Sequence, residues 1–549
     1  MQDENKNKMS SSVICGEIKY NDLSVQEKNT ITDALRRGVT RREFVTWLMA
    51  VGVTMASAGS IFTTAKTAMA ATPKRGGKIK YSSSNHGPAD TMDPSLATAN
   101  IDYNRHRMHY NNLVQLNDQM LPQPELAEEF SINDSATEYT FKIRKDVVFH
   151  DGSKLTADDV VWSMRRHMGE DSKSVVKPLA AGIKEWKKVD SHTVKAILHS
   201  PEADLATVLG VFQFKILKID TTNWQKPIGT GPFTLKEFKP GVRSVHERNR
   251  NYWRDGPNLD VIEATAITDP VARVNALLSG DMQVVADVDP KAIRQVESTP
   301  GVGISSIPAG KYVGICCMKN TAPGNNDDFV MAMKFLQRRE RIVKSILKKH
   351  GTVGNDHPIN EVYPDHCDTL AQRKFDLDKA KFHLKKSGIT RAEIHVGEVA
   401  SGLTDMVLMT QRDASKIGLK LDVKRVPTDG YWGSVWMKTP LNAVYWNGRP
   451  TANSMLSIAY APGAPWNDTK WNNARMGELL IATRAEKDPV KRKEMYCEMQ
   501  TLIHNECGIV LPAHMNYIDG ISDKVKGIPK VPLANLGAGE WPEFAWLEG

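Results

Sequence analysis

Arg449 stands in the stretch VYWNGRP, Val444–Pro450, between a glycine and a proline and just after Tyr445, Trp446 and Asn447. A guanidinium is a planar fork of N–H donors that matches a carboxylate or phosphate. Aromatic rings beside it shield that pairing from water and strengthen it. Gly448 has no Cβ, so a ligand or another chain segment can approach closely there. Pro450 biases Arg449 toward extended backbone and limits its wandering. The same pattern also suits a surface cation, and both readings stay open at this level. Trp432, Tyr445, Trp446 and Trp466 are candidates for the walls of a cleft, as is Tyr431, though each is equally a candidate for the core. Tyr312 and Asn447 complete the candidate contacts on this side.

His86 is the other candidate. It lies in SSNHGPAD, directly after the first strand pattern of the chain. The remaining histidines are dispersed, and His150 precedes an Asp-Gly turn dipeptide as an ordinary hairpin residue. No G-x-S-x-G, H-E-x-x-H, Walker A or G-x-G-x-x-G pattern occurs. Pro227 and Pro232 in PIGTGPF suit a chain crossing, not a phosphate cradle that opens a helix. No catalytic residue, metal site or cofactor is expected.

The chain has 549 residues, enough for about three domains at roughly 150 residues each. Its net charge of +8 is mild, and basic and acidic residues are interspersed. Nucleic-acid binding needs a concentrated basic stripe, which is missing, so no nucleic-acid partner is expected. Six cysteines include no C-x-x-C pair, which leaves a zinc ribbon or thioredoxin-type reading without support. Adjacent Cys316 and Cys317 fall on opposite faces of a strand and read as small core residues. Cys497 and Cys507 are candidates for a disulfide in an oxidising compartment.

Residues 1–70 read as an address. Thr40 precedes Arg41-Arg42, a moderately apolar run follows from Val45 to Phe62, and Ala68-Met69-Ala70 supplies a small-residue cleavage site with Ala68 and Ala70 at its key positions. The arginine pair makes this similar to a twin-arginine (Tat) signal, read by the Tat export machinery. The alternative, a membrane anchor, is weaker because the run is diluted and a cleavage site follows. The mature chain is expected to begin near Ala71 and to act in the periplasm as a monomer.

Elements that position these residues are legible along the rest of the chain. Tyr139, Phe141 and Ile143 alternate with polar residues, as in a half-buried strand. Thr156 and Asp159 form a capping box for a helix through Val160 and Met164. Asp269-Pro270 and Asp488-Pro489 each open a helix. Gly280 ends the first of these, and Met282–Ala286 reads as a buried strand. DDFVMAMKFLQRRERIVKSILKKHG reads as one long amphipathic helix stopped by Gly351. Helices and strands mix without a fixed repeat or a low-complexity linker, which suggests interwoven α/β lobes.

Several long segments, in order, resemble the bacterial extracellular solute-binding proteins of the peptide/opine/nickel class, family 5, the binding subunits of ABC importers. They are RGGKIKYSSSNHGPADTMDPS, NNLVQLNDQMLPQPELAEEFSINDSATEYTFKIRKDVVFHDGSKLTADDVVWSM, PIGTGPFTLKEFKPGVRSVHERNRNYWRDGP, NDDFVMAMKFLQRRERIVKSIL and FDLDKAKFHLKKSG. The resemblance implies an α/β, two-lobed periplasmic-binding-protein fold with a solute cleft between lobes that close by hinge motion. It also implies an extra domain inserted in the first lobe. The expected division is 71–109, 225–309 and 516–549 for lobe I, 110–224 for the inserted domain and 310–515 for lobe II. The implied partners are a small-molecule solute and an ABC permease complex in the inner membrane, and His86 falls in the family's binding loop.

Dipeptide-binding members have a similar Trp-x-Gly stretch followed by an aspartate that takes the peptide amine. Here Trp446-Asn447-Gly448 is followed by Arg449, so the charge is inverted. A carboxylate-bearing solute is the resulting expectation: an acidic peptide or other oligopeptide, an opine-like conjugate or a metal chelate. A periplasmic hydrolase without a recognisable catalytic motif is the alternative.

Overall fold

In the computed structural model the described residues are 73–84 and 86–548, together with Val45 and Ile61. The residues expected to form a signal, Arg41, Arg42, Ala68 and Ala70, lie outside them. The chain divides after Lys74, and the fold is that of the unit beginning at Arg75. Among the described residues no helix is long and apolar enough to cross a membrane.

Two long strands organise this unit. Val302–Cys317 and Ile509–Ser522 pair antiparallel over nearly their whole length. At one end they join Lys78–Ser82, Val284–Val285, Val261–Thr265, Arg243–Arg248 and Phe233–Lys239. At the other end Leu441–Trp446, Arg391–Val396 and Lys420–Arg425 continue the same sheet, and Gly351–Val353 pairs beside Ile509–Ser522. The sheet therefore has 11 strands and runs through both lobes. Each lobe keeps its own core. Ile79, Tyr81, Ile262, Val284 and Trp541 cluster in the first, and Val313, Ile315, Phe329, Ile394 and Leu441 in the second.

Between the two ends the pairing slips. Ile307 faces Tyr517, but the next ladder partner is Lys311 with Met515, so Pro308–Gly310 form a bulge where the strands pass from one lobe to the other. Cys316 and Cys317 follow in the strand. Both are buried, Cys316 among Tyr312 and Ile509 on one face and Cys317 among Val313 and Phe329 on the other, as alternation requires.

A separate antiparallel sheet of four strands, Ala127–Ile132, Glu138–Ile143, Thr193–Leu198 and Ile183–Asp190, sits on the first lobe. Tyr139, Phe141 and Ile143 point into its core beside Trp186. The capping box is formed: the Thr156 N–H and hydroxyl both donate to Asp159 Oδ2, at 2.9 and 3.0 Å. Asp269 and Asp488 likewise cap helices Pro270–Leu278 and Pro489–Glu506.

Three sequence expectations are corrected. The long helix from Asp327 ends at Phe335, Arg338 leaves helical geometry, and a short turn Arg339–Arg341 and a π-turn Ile342–Ile346 follow. The cause is a pair of anchored arginines. Arg338 Nε donates to Asp413 at 2.6 Å, and buried Arg339 donates to buried Asp356 at 2.7 Å. Gly351 then opens a strand instead of closing a helix. The buried strand after Gly280 is shorter than expected, Val284–Val285. The disulfide joins Cys367 to Cys497, not Cys497 to Cys507. Cys497 lies within helix Pro489–Glu506 and Cys507 caps its end, and ten residues of helix rise about 15 Å, far beyond disulfide reach. Cys316, Cys317 and Cys507 are free and buried.

Candidate solute site between the lobes

The second lobe brings the VYWNGRP residues to the cleft. Leu441–Trp446 pairs with the crossing strand, which sets Trp446 opposite Tyr312 and Tyr445 opposite Val313. After Trp446 the chain leaves the sheet, and Thr451 caps the next helix, Ala452–Ala459, by accepting from the Ser454 N–H at 3.0 Å. Arg449 is thus held between a strand end and a helix start. Gly448 packs against the bulge: a Cβ there would lie 3.3 Å from Gly310 Cα.

Arg449 is half-buried. Its N–H donates to the Tyr363 hydroxyl at 3.0 Å. One arm, Nη1, donates to the carbonyls of Asn447 and Gly448, both at 3.2 Å. The guanidinium lies 5.9 Å from the Trp446 ring centre and 5.8 Å from that of Trp466. Burial lowers its pKa, opposed by the nearby phenols of Tyr363, Tyr312, Tyr517 and Tyr103. Tyr103 belongs to helix Asn100–His109 of the first lobe, so the Arg449 charge lies near that lobe. Its polar contacts among the described residues are to neutral oxygens, and it forms no ion pair among them.

The candidate aromatic residues come together with Trp436. Trp446 is buried, whereas Trp432 and Trp466 are 41% and 43% exposed. Trp436 meets Trp432, Trp446 and Trp466 at centroid distances of 5.8, 6.1 and 6.3 Å, and Tyr445 meets Trp432 at 5.4 Å. Buried Asp468 fastens the group by accepting from the indole N–H of Trp436 at 3.1 Å and of Trp446 at 3.0 Å. Burial raises the Asp468 carboxyl above the ordinary range despite those two bonds. Tyr312 is fully buried and shares a 2.8 Å hydrogen bond with the Tyr460 hydroxyl, so it supports the wall from behind. Tyr431 is buried as well, and its hydroxyl donates to the Ala443 carbonyl at 2.8 Å. Asn447 is exposed.

His86 lies apart from this group, in the first lobe. Its side chain is 1% exposed, with Nδ1 3.4 Å from Asp90 Oδ2. Asp90 also accepts from Arg105 at 2.9 Å and from the Gly241 N–H at 3.0 Å. Burial pushes the Asp90 carboxyl up, but His86 and Arg105 outweigh it and hold it below the ordinary range.

A cavity of about 640 Å³ opens beside the cleft, lined by Leu121, Asp204 and Thr207 on one side and by Tyr363, Pro450 and Arg492 on the other. Arg449 adjoins it through Tyr363 and Pro450 without lining it. The neighbourhood of the four-stranded sheet and the second lobe touch across it. Arg492 pairs with Asp204, Lys487 with Asp134 at 3.0 Å, and the Ala203 N–H donates to the Arg484 carbonyl at 2.9 Å. Among the described residues no group of three or more His, Cys, Asp or Glu is arranged to hold a metal.

Asp468, Tyr363, Trp436, Tyr103 and Tyr460 escaped the sequence reading. Tyr363 is 86 positions from Arg449, and Asp468 is 22 from Trp446; neither interval has a motif. Only the cluster of tryptophans around VYWNGRP marked the region.

The assembly offers a cationic fork, an aromatic wall and two lobes in contact, an arrangement suited to enclosing a solute. A model described as bacterial extracellular solute-binding proteins, family 5 Middle, matches residues 122–468. The dipeptide-binding protein of Escherichia coli (strain K12) is 25% identical over 503 residues, 82% of this chain and 92% of the relative. Structural similarity extends to HbpA2 from Haemophilus parasuis, with TM-score 0.77 and 21% identity over 86% of this chain and all of that one. It extends also to the ABC transporter-associated periplasmic binding protein DppA from Helicobacter pylori in complex with peptide STSA, with TM-score 0.71 and 21% identity over 87% and 99% of the two chains. These neighbours have the two-lobed periplasmic-binding-protein fold expected from the sequence. The chain belongs to the bacterial extracellular solute-binding proteins of family 5.

Proposed function

We propose that this protein captures a carboxylate-bearing, peptide-like or opine-like small solute between its lobes and delivers it to an ABC permease in the inner membrane. Family membership supports binding for transport in place of catalysis, and the dipeptide-binding relative supports a peptide-like size. One observation carries the ligand class: Arg449 is half-buried against Trp446 and Trp466, lies near the first lobe and has no ion pair among the described residues. Leaving a desolvated guanidinium unpaired is costly unless an anion joins it.

The protein acts in the periplasm, as its family membership supports. In this reading it arrives by the twin-arginine route signalled by Arg41 and Arg42 and works as a monomer. Residues 71–109, 225–309 and 516–549 form lobe I, 310–515 lobe II, and 110–224 the inserted domain. The four-stranded sheet within 127–198 supports that last boundary. Arg449, Trp432, Tyr445, Trp446, Asn447 and Trp466 serve as the second lobe's solute contacts, with Tyr312 behind them and His86 in the first-lobe loop.

Native mass spectrometry of protein purified from its own periplasm tests the ligand class. A co-purifying solute with at least one carboxylate, released by Arg449→Ala, supports it. A neutral sugar or a purely cationic solute overturns it.

A further inference from the structure

The first lobe presents a second unpaired charge to the same cleft, of opposite sign. Strands Lys78–Ser82 and Val284–Val285 run parallel, with Tyr81 opposite Val284 and Ser82 opposite Val285. The loops after them therefore leave the sheet at one edge, the carboxyl edge where open α/β sheets bind ligands. Ser82 and Ser83 are buried there with hydroxyls that lack a hydrogen-bond partner. Asp287 is on the adjoining loop.

Asp287 is held with care. Its φ of +61° is a left-handed conformation that a non-glycine residue seldom adopts. Its N–H donates to Asp519 Oδ1 at 3.1 Å, and the next N–H, of Val288, donates to the Ile518 carbonyl at 2.8 Å. Arg273 clamps the loop from beneath, donating to the carbonyls of Ala286 and Asp287, both at 2.9 Å, and to those of Ile267 and Thr268 at 2.9 and 3.1 Å. That guanidinium is committed to backbone oxygens. The polar contacts of Asp287 among the described residues are both through its backbone. Its side chain belongs to an exposed residue and forms no ion pair among them. Backbone strain of this kind persists where surrounding structure enforces it, and it gathers at ligand clamps.

The backbone bonds to Asp519 and Ile518 seat Asp287, with its exposed side chain, beside Tyr517 of the crossing strand. Burial raises the phenol pKa values of Tyr445, on the second-lobe strand, and Tyr517, on the crossing strand, and the nearby Asp287 carboxylate adds to both. The Tyr517 phenol also senses Arg449. Tyr517 is itself anchored, its hydroxyl donating to the Leu533 carbonyl at 3.0 Å. Lys311 lies over the Tyr445 ring, 5.7 Å from its centre, without pairing to Asp287. A fixed anion from one lobe and a fixed cation from the other thus flank Tyr517, and they do not neutralise each other.

We propose that Asp287 is a specificity-determining residue that takes an ammonium group of the solute while Arg449 takes its carboxylate, so that the site selects a zwitterion and orients it with its cationic end in the first lobe. The inference rests on the assignment of Arg449 as the anion anchor. It adds a requirement that an anion-only site lacks: the solute must carry a free amine.

The test uses the full mature chain, freed of endogenous solute, and three matched libraries: di- and tripeptides, their N-acetylated forms and their C-amidated forms. Thermal-shift screening finds binders, and calorimetry gives their affinities. Free peptides are expected to bind, with N-acetylation weakening them at least tenfold in wild type and less than twofold in Asp287→Asn. Asparagine keeps the side-chain shape and tolerates the left-handed backbone. Equal affinity for free and N-acetylated peptides in wild type overturns the role of Asp287, and this readout does not depend on any variant folding. Equal affinity for free and C-amidated peptides overturns the Arg449 reading instead, so the two failures are distinguishable. Binding by no member of the three libraries overturns the zwitterion proposal.

Discussion

The Arg449 N–H donates to the Tyr363 hydroxyl at 3.0 Å, and a Cβ on Gly310 would collide with that same hydroxyl oxygen. The inter-lobe bulge, the tyrosine and the proposed anion anchor are therefore in direct contact. Tyr363→Phe removes the acceptor while keeping the ring. One hydrogen bond of this kind contributes about 1 kcal/mol, so solute affinity should fall roughly five- to tenfold. Calorimetry on the co-purified solute checks this, with a melting curve to show that the fold is intact.

Gly310→Ala should act through the same contact. The added methyl cannot coexist with Tyr363 where it stands, so the tyrosine ring or the strand must shift. Affinity should fall further than in Tyr363→Phe, because the Gly448 backbone also packs on Gly310. The double variant Gly310→Ala/Tyr363→Phe should lose less than the sum of the two singles, since they share one partner.

Asp468 predicts a stability effect. It is buried and accepts from the indoles of Trp436 and Trp446. Asp468→Ala leaves two indole donors without that acceptor, and each orphaned donor costs about 1–3 kcal/mol. Asp468→Asn retains one carbonyl acceptor and should lose less. Urea unfolding followed by tryptophan fluorescence measures both, and equal stability of all three proteins would refute the fastening role.

Contacts between the lobes should depend on pH. Burial raises the Asp365 carboxyl to about 6, with Arg492 and Lys493 lowering it and Asp204 raising it. Glu202 is likewise raised by burial and then by Asp204, against Arg484 and Arg492. A raised carboxyl binds its proton more tightly when the lobes touch. For Asp365 the resulting stabilisation of the closed form is complete below its ordinary pKa near 3.8 and is lost as pH rises through about 6. Small-angle scattering of the solute-free protein should therefore show a smaller radius of gyration at pH 5 than at pH 7.5. Replacing Glu202 by Gln and Asp365 by Asn should flatten the difference.

The Cys367–Cys497 bond ties two segments of the second lobe that are 130 residues apart. Its reduction should lower stability by about 2–4 kcal/mol. Because both ends lie in one lobe, solute affinity measured below the melting transition should change less than twofold, a comparison that titration with and without reductant makes directly.

Local rules reached the local features. Thr156 with Asp159, Asp269 with Pro270 and Asp488 with Pro489 were legible because a cap and its helix are neighbours in sequence. The break after Phe335 was not, because its cause, Arg338 meeting Asp413 and Arg339 meeting Asp356, spans 75 and 17 positions. The periodic apolar stripe continues through the break and conceals it. The site divides in the same way. Trp446, Arg449 and Trp466 drew attention by type and crowding. Tyr363, Asp468 and Asp287 matter through contacts that only the folded chain creates, and a lone aspartate in VVADVDP carries no sign of its left-handed backbone.

The unbroken sheet bears on the mechanics of closure. Lobes joined by slack tethers would explore many relative orientations. Here the joining segments are themselves hydrogen-bonded to each other on both sides of the Pro308–Gly310 bulge. Twisting one lobe against the other loads that ladder like a torsion bar, with one soft rotation and stiff resistance to the rest. The empty protein should therefore sample a narrow arc of angles about one axis, and its two charged walls should meet an arriving solute already in register.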